Sequence, residues 1–254
     1  MTLEEAKKLA DNGDVQAMLA LAKFYDQQDD DDEEAYDLAK HYWSCAAEAG
    51  DLTAIGVLAE SSHTGAKAVM ALPGNFSHLL PYFEDAYKWN KALFELCNQL
   101  NIQGEAAEHA FEFYLDTIVW LSAAYNMDDN YAEIKRITDS VDHPVAKAIH
   151  GLALHELANT NAEIATAFDF LKNAMHPSFW DEKYATPDTL EVLQATVGMA
   201  LSTGYRVYYN NLEAAYNVLA MMLGHLKDAD LREVVQKHIS RYKKTLFGGY
   251  KYIE

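Results

Sequence analysis

The 254-residue chain is predicted to be all-α, a row of helical hairpins stacked as one solenoid domain over residues 1–254. Three observations predict it. A phrase recurs: Gly-Asp, two residues, Ala, three residues, a large apolar residue, a small residue, two residues, Tyr. It stands as Gly13-Asp14, Ala17, Leu21, Ala22, Tyr25 and returns 37 positions later as Gly50-Asp51, Ala54, Leu58, Ala59. Weaker copies follow at Thr117, Leu121, Ser122, Tyr125, at Ala148, Leu152, Ala153 and at Ala195, Met199, Ala200. Self-similarity at a period of roughly 20–50 residues marks units that bury their apolar faces only against their neighbours. Secondly, apolar residues between the phrases step by three and four, the mark of one helical face. Thirdly, half the residues are hydrophobic while only 5 are Pro and 12 are Gly, which favours helices over sheets.

The elements follow in order. Residues 3–11 predict a short helix, ended by the turn chemistry of Asp11-Asn12-Gly13. Asp14 caps a helix running to about Gln27. The acidic run 29–34 reads as a solvated loop tip, because the central Gly and closing Glu of a calcium loop are absent. From about Glu34 to Ala49 a helix presents Tyr36, Ala39, Trp43, Ala46 and Ala47 on one face. Gly50-Asp51 turns the chain into the next helix, so one repeat is an αα-hairpin. Ala22, Ala59, Ser122, Ala153 and Ala200 are the small residues that let helices approach closely, with Leu21 and Tyr25 filling the space beside them. An insertion loop is expected over 72–81. Helices then follow over 82–100, with Tyr87, Leu93, Leu96 and Leu100 inward, and over 105–126 and 131–140. Pro144 stands near the first position of another helix, where its missing N–H costs little, and 162–175 completes that hairpin. A second insertion spans 176–187. Helices over 188–204, 213–225 and 230–246 close the array, before a frayed tail with aromatic anchors.

Charge narrows the partners. The net charge is −19, and duplex DNA or RNA needs a basic footprint, so nucleic acid is not expected as the ligand. Residues 1–70 hold 15 Asp and Glu against 5 Lys and Arg, whereas residues 225–254 hold 4 against 7. The tail (Lys227, Arg232, Lys237, Arg241, Lys243, Lys244, Lys251) reads as a capping helix with a basic, solvated outer face. No apolar run is long enough to span a membrane. The first residues are acidic and lack the apolar stretch of a signal peptide, so a cytoplasmic location is expected. Cys45 and Cys97 lack metal or redox spacing and read as buried thiols.

The phrase Gly-Asp, Ala, Leu-Ala, Tyr, followed by Ala39, Trp43, Ala46-Ala47 and Gly50-Asp51, resembles the Sel-one-like repeat, a longer cousin of the tetratricopeptide repeat. The match is best over 6–60 and 145–176. The resemblance implies a right-handed superhelix of about five to six helix pairs, whose first helices line a concave face, and scaffold or adaptor work in protein complexes. The later helices lack the Gly-Asp turn and the middle repeats lack the Trp. Carried along the register, the concave face takes Gln16, Lys23 and Asp26 from the first unit and Thr53, Glu60 and His63 from the second. It takes Asn126 from the third, Lys147, His150, Leu154 and Leu157 from the fourth, and Gln194, Val197 and Leu201 from the fifth. A peptide or helix of a partner protein would lie there. Phe179, Trp180 and Tyr184, between Pro177 and Pro187, suit either a docking loop or a plug that folds back into the groove.

Enzymatic readings are weaker. Glu60-x-x-His63 has the spacing of a di-iron ligand pair, but no second such pair exists. Ser240-x-x-Lys243 has the spacing of a Ser–Lys nucleophile without its companion motifs. No phosphate loop or dinucleotide fingerprint occurs. The expectation is therefore a non-enzymatic, cofactor-free scaffold that binds a protein or peptide. The rivals are a metal-dependent all-α hydrolase built on Glu60, His63 and His109, and a structural protein that self-associates through its C-terminal helix.

Overall fold

The computed structural model describes residues 2–28, 32–70, 76–174, 187–245 and 249–253. Among them it is all-helical apart from one small hairpin. The helices are α1 (Leu3–Asp11), α2 (Val15–Asp26), α3 (Glu33–Glu48), α4 (Leu52–Met70), α5 (Leu80–Gln99), α6 (Glu105–Met127), α7 (Tyr131–Thr138), α8 (Pro144–Leu157), α9 (Asn161–Ala174), α10 (Pro187–Val207), α11 (Leu212–His225) and α12 (Ala229–Ile239). A 3-10 turn, Phe76–Leu79, leads into α5, so the described part of the insertion expected over 72–81 is helical. The insertion over 176–187 lies outside the described residues except for Pro187, which opens α10.

The recurring phrase has a recurring geometry. Gly13 and Gly50 both stand at φ +88°, where a Cβ is disfavoured. The next amide reaches back five residues, Asp14 N–H to the Leu9 carbonyl and Asp51 N–H to the Ala46 carbonyl, both 3.0 Å. This closes each preceding helix as a Schellman turn. Each Asp then starts the following helix: Asp14 Oδ1 accepts from Ala17 N–H and Asp51 Oδ1 from Ala54 N–H, both at 2.9 Å. One dipeptide thus ends one helix and opens the next. The later junctions keep the device with other residues. Asn101 (φ 52°) precedes the bond from Ile102 N–H to the Cys97 carbonyl, and Asp129 (φ 53°) precedes that from Asn130 N–H to the Tyr125 carbonyl. Asn and Asp tolerate the left-handed region better than other side chains, so the turn survives where the Gly-Asp signature is lost.

The chain divides into two compact units, Met1–Leu121 and Ser122–Glu254, with the boundary inside α6. In the first, α1 to α5 pack each against the next. Their core holds Leu21, Ala22, Trp43, Ala46, Leu58, Ala59 and Trp89. Burying each large side chain stabilises the unit by about 1.5–3 kcal/mol, and the alanines between them bring the backbones close. Tyr25 stacks on Tyr42 at 6.0 Å. Lys40 and Lys88 tie α3 to α5 through Asp85 at 3.0 Å and Glu48 at 3.2 Å. The rings of Tyr87 and Phe94 meet Tyr114 and Phe111 of α6.

Two expected inward residues face outward here. Tyr36 is 65% exposed and Leu100 55%. The inner stripe of α3 begins at Ala35 and runs through Ala39, Tyr42 and Trp43, so Tyr36 sits one residue off it. Leu100 lies past the last turn of α5, beyond the reach of its packed face. Cys97 is buried, while Cys45 is half-buried and burial raises its thiol pKa.

In the second unit α7 packs on α8, α8 on α9, α10 on α11 and α11 on α12, and α10 also touches α8, α9 and α12. Close approach depends on glycines. A Cβ on Gly198 would fall 1.5 Å from Met222 Sδ, and one on Gly204 would fall 2.1 Å from the Phe168 ring. The C-terminus corrects the reading of a helix to residue 246 and a frayed tail. The helix α12 stops at Ile239, and strands β1 (Tyr242–Lys244) and β2 (Tyr250–Tyr252) pair antiparallel, Tyr242 opposite Tyr252. In β2 Tyr-Lys-Tyr alternates with the period of a strand, so Tyr242, Tyr250 and Tyr252 share one face with Lys244, while Lys243 and Lys251 stand on the other. Tyr250 stacks on Tyr216 at 4.5 Å, the Tyr242 hydroxyl is 3.0 Å from Ser202 Oγ, and Arg206 covers the Tyr252 ring. Lys243, Lys244 and Lys251 point to solvent from these strands, not from a capping helix.

Candidate functional site

The register-derived residues divide by burial. Gln16, Lys23 and Asp26 on α2 are exposed, as are Thr53 and Glu60 on α4 and Asn126 on α6. On α8, Lys147 and Leu157 are exposed and Leu154 is half-buried, and Gln194 on α10 is half-buried. Val197 and Leu201 belong to the core instead, 0% and 2% exposed, which corrects their placement on a binding face. The helix α10 is packed by four others and has no such open face at those positions. Phe179, Trp180 and Tyr184 lie outside the described residues.

His63 is also buried. Its ring stacks on Phe113 at 3.8 Å and lies 4.9 Å from Trp120, with Nε2 3.3 Å from Asp116 Oδ2. Glu60 on the same helix stays exposed, and His109 pairs with Glu112 at 4.0 Å with its ring tilted 50° against Phe113. The two histidines therefore pair with different carboxylates, though both rings lie against Phe113. Among the described residues no group of three or more His, Cys, Asp or Glu is placed to hold a metal ion.

Two register residues, Lys147 and His150, do meet. They line a cavity of about 270 Å³ at the corner between α7 and α8, with residues 138–142 and Phe170 of α9. The corner is built locally. The helix α7 ends at Thr138, whose hydroxyl donates to the Ile134 carbonyl at 2.7 Å. The next helix starts at Pro144 under a histidine cap, His143 Nδ1 accepting from Val145 N–H at 3.3 Å. Gly151, one turn into α8 from Lys147, lets α9 close over it, since a Cβ there would fall 2.8 Å from Phe170 Cβ. That contact sets Phe170 against His150, ring centroids 5.1 Å apart.

His143, the cap of α8, and His150 within it hold opposite tautomers. His143 accepts at Nδ1, so a neutral ring carries its proton on Nε2. Burial pushes its pKa down to about 4, against a smaller upward pull from Asp142. His150 Nδ1 lies 3.0 Å from Thr138 Oγ1. That hydroxyl spends its one proton on a backbone carbonyl, so Nδ1 is the donor and Nε2 carries the lone pair. Burial also lowers the pKa of His150, opposed by Asp139, so the ring is neutral at pH 7. The lone pair on Nε2 faces Asp139 Oδ1 at 3.9 Å. Across the cavity Lys147 and Asp142 form an ion pair that holds the Asp142 carboxyl below its ordinary pKa. Thr138, Asp139 and Phe170 escaped the sequence reading. The only signal was the pair of aspartates, Asp139 and Asp142, in the short connection before Pro144. Comparison of the chain with protein-family models and with curated proteins returned no match.

Proposed function

We propose that the chain is a protein-interaction scaffold, its hairpins stacked as a right-handed solenoid of the Sel-one-like, tetratricopeptide-related kind, which holds a peptide or helical segment of a partner protein. One observation supports this most: the junctions at Gly13-Asp14 and Gly50-Asp51 have the same φ, the same back-reaching bond and the same aspartate cap. Repeating units joined by one turn present the same helix positions again and again. The side chains at those positions on α2 and α4 (Gln16, Lys23, Thr53, Glu60) are left outside the core. A surface of exposed side chains on rigid helices suits recognition of an extended or helical partner.

The test is crosslinking and co-purification with wild-type protein against a Lys23→Glu/Glu60→Lys/Lys147→Glu/Leu157→Asp variant. All four side chains are exposed, so the variant is expected to keep wild-type helicity by circular dichroism. Partner recovery is expected to fall at least about tenfold, a change of about 1.4 kcal/mol. Equal recovery by both proteins ends the assignment.

A further inference from the structure

The cavity at the α7–α8 corner is set up for a ligand that donates hydrogen bonds. Its back wall is His150, whose side chain is 8% exposed and whose Nδ1 is taken by Thr138, leaving Nε2 towards Asp139. The group opposite is Asp139 Oδ1 at 3.9 Å, itself only an acceptor. A guest that donates to both would bridge the imidazole nitrogen at the wall and the solvent-facing carboxylate at the rim, whose side chain is 72% exposed. Asp142 is taken by Lys147, whereas the exposed Asp139 has the His150 imidazole before it. An anion is therefore disfavoured: the one lysine lining the cavity is already paired and the rim carries two carboxylates. Phe170 supplies an aromatic wall beside His150, a kind of surface that attracts a flat cation.

We propose that this cavity receives the guanidinium of an arginine side chain on the partner. One N–H would be donated to His150 Nε2 and another to Asp139, with the guanidinium plane against Phe170. This deepens the scaffold reading and rests on it for the source of the arginine. Guanidinium fits better than ammonium because its donors diverge in one plane and its hydration is weak. The chain's net charge of −19 would also draw a basic segment towards it.

The test uses a small probe and needs no identified partner. N-acetyl-arginine amide is titrated into nitrogen-15-labelled full-length protein, reading the His150 imidazole nitrogens. The citrulline analogue, which is neutral and nearly isosteric, and the lysine analogue are run beside it. Saturable movement of the Nε2 resonance is expected with the arginine probe, and none with citrulline. In Asp139→Asn, an exposed position, affinity is expected to drop about fivefold or more. His150→Phe keeps an apolar plug behind the site, and there the probe is expected to lose binding while helicity is kept. No saturable response to the arginine probe, an equal response to citrulline, or an unchanged affinity in Asp139→Asn overturns the proposal. Equal binding of the lysine probe overturns the choice of guanidinium. The co-purification experiment fails independently: a cavity that takes the probe in a protein that captures no partner keeps the site and removes the scaffold.

Discussion

At the residue scale the repeat is a matter of one dihedral angle. Gly13 and Gly50 share φ +88° and nothing lies within 4 Å of where their side chains would be. Replacing either by Ala therefore meets no clash, only the backbone cost of the left-handed region. We expect Gly13→Ala and Gly50→Ala each to destabilise by about 1 kcal/mol, and equally, as read by chemical denaturation. Unequal costs would mean that the two junctions are not equivalent units. The same angle explains which later junctions the sequence hid. Asn101 and Asp129 do the work of glycine at φ near +50°, and neither residue type announces a turn as strongly as Gly-Asp does. Tyr36 shows the converse limit: it fits the three-four stepping and is exposed, because the inner stripe starts one residue earlier at Ala35.

At the scale of elements, α8 is where cap chemistry and titration meet. Its cap, His143 Nδ1, accepts a backbone hydrogen bond only while unprotonated. With its pKa pushed down to about 4 in the folded chain and near 6.5 when unfolded, the unfolded state binds the extra proton between those values. Stability from this group is thus complete above about pH 6.5, falls as pH drops through that window, and levels off below about 4. The loss should reach about 2 kcal/mol once solvent screening is allowed for. Urea unfolding at pH 7, 5.5 and 4.5 checks it against His143→Asn, which keeps a capping oxygen and loses the titration. The wild type is expected to lose more stability than the variant across the window, and parallel loss would refute the cap's part in it. His150 and His238, both lowered by burial, titrate in the same direction in both proteins and cancel in the comparison. The C-terminal hairpin is the element that the helical pattern obscured. Lysines at 243, 244 and 251 read as a basic helix face, but Tyr242, Tyr250 and Tyr252 are spaced for strands, and Tyr250 and Tyr242 find Tyr216 and Ser202 to pack on.

At the scale of the whole molecule the dominant fact is charge. A net −19 on 254 residues means that folding gathers like charges. Raising NaCl from about 20 to about 200 mM should therefore raise the melting temperature by roughly 2–4 °C, since the screening length shrinks well below the size of the molecule. A melting temperature that falls with salt would show attractive pairs, such as Lys40–Asp85 and Lys147–Asp142, outweighing the net repulsion. The sequence by itself determined the all-helical class, nearly every helix boundary and the two Gly-Asp junctions. Those depend on local chemistry: which residue caps, which tolerates a positive φ, which face is apolar. Only the tertiary structure decided which register positions stay outside. It drew Val197 and Leu201 into the core, because α10 is packed on several sides at once. It also brought Thr138, Asp139 and Phe170 to His150. That meeting depends on how closely α9 closes over Gly151, a distance between helices that no spacing along the chain encodes.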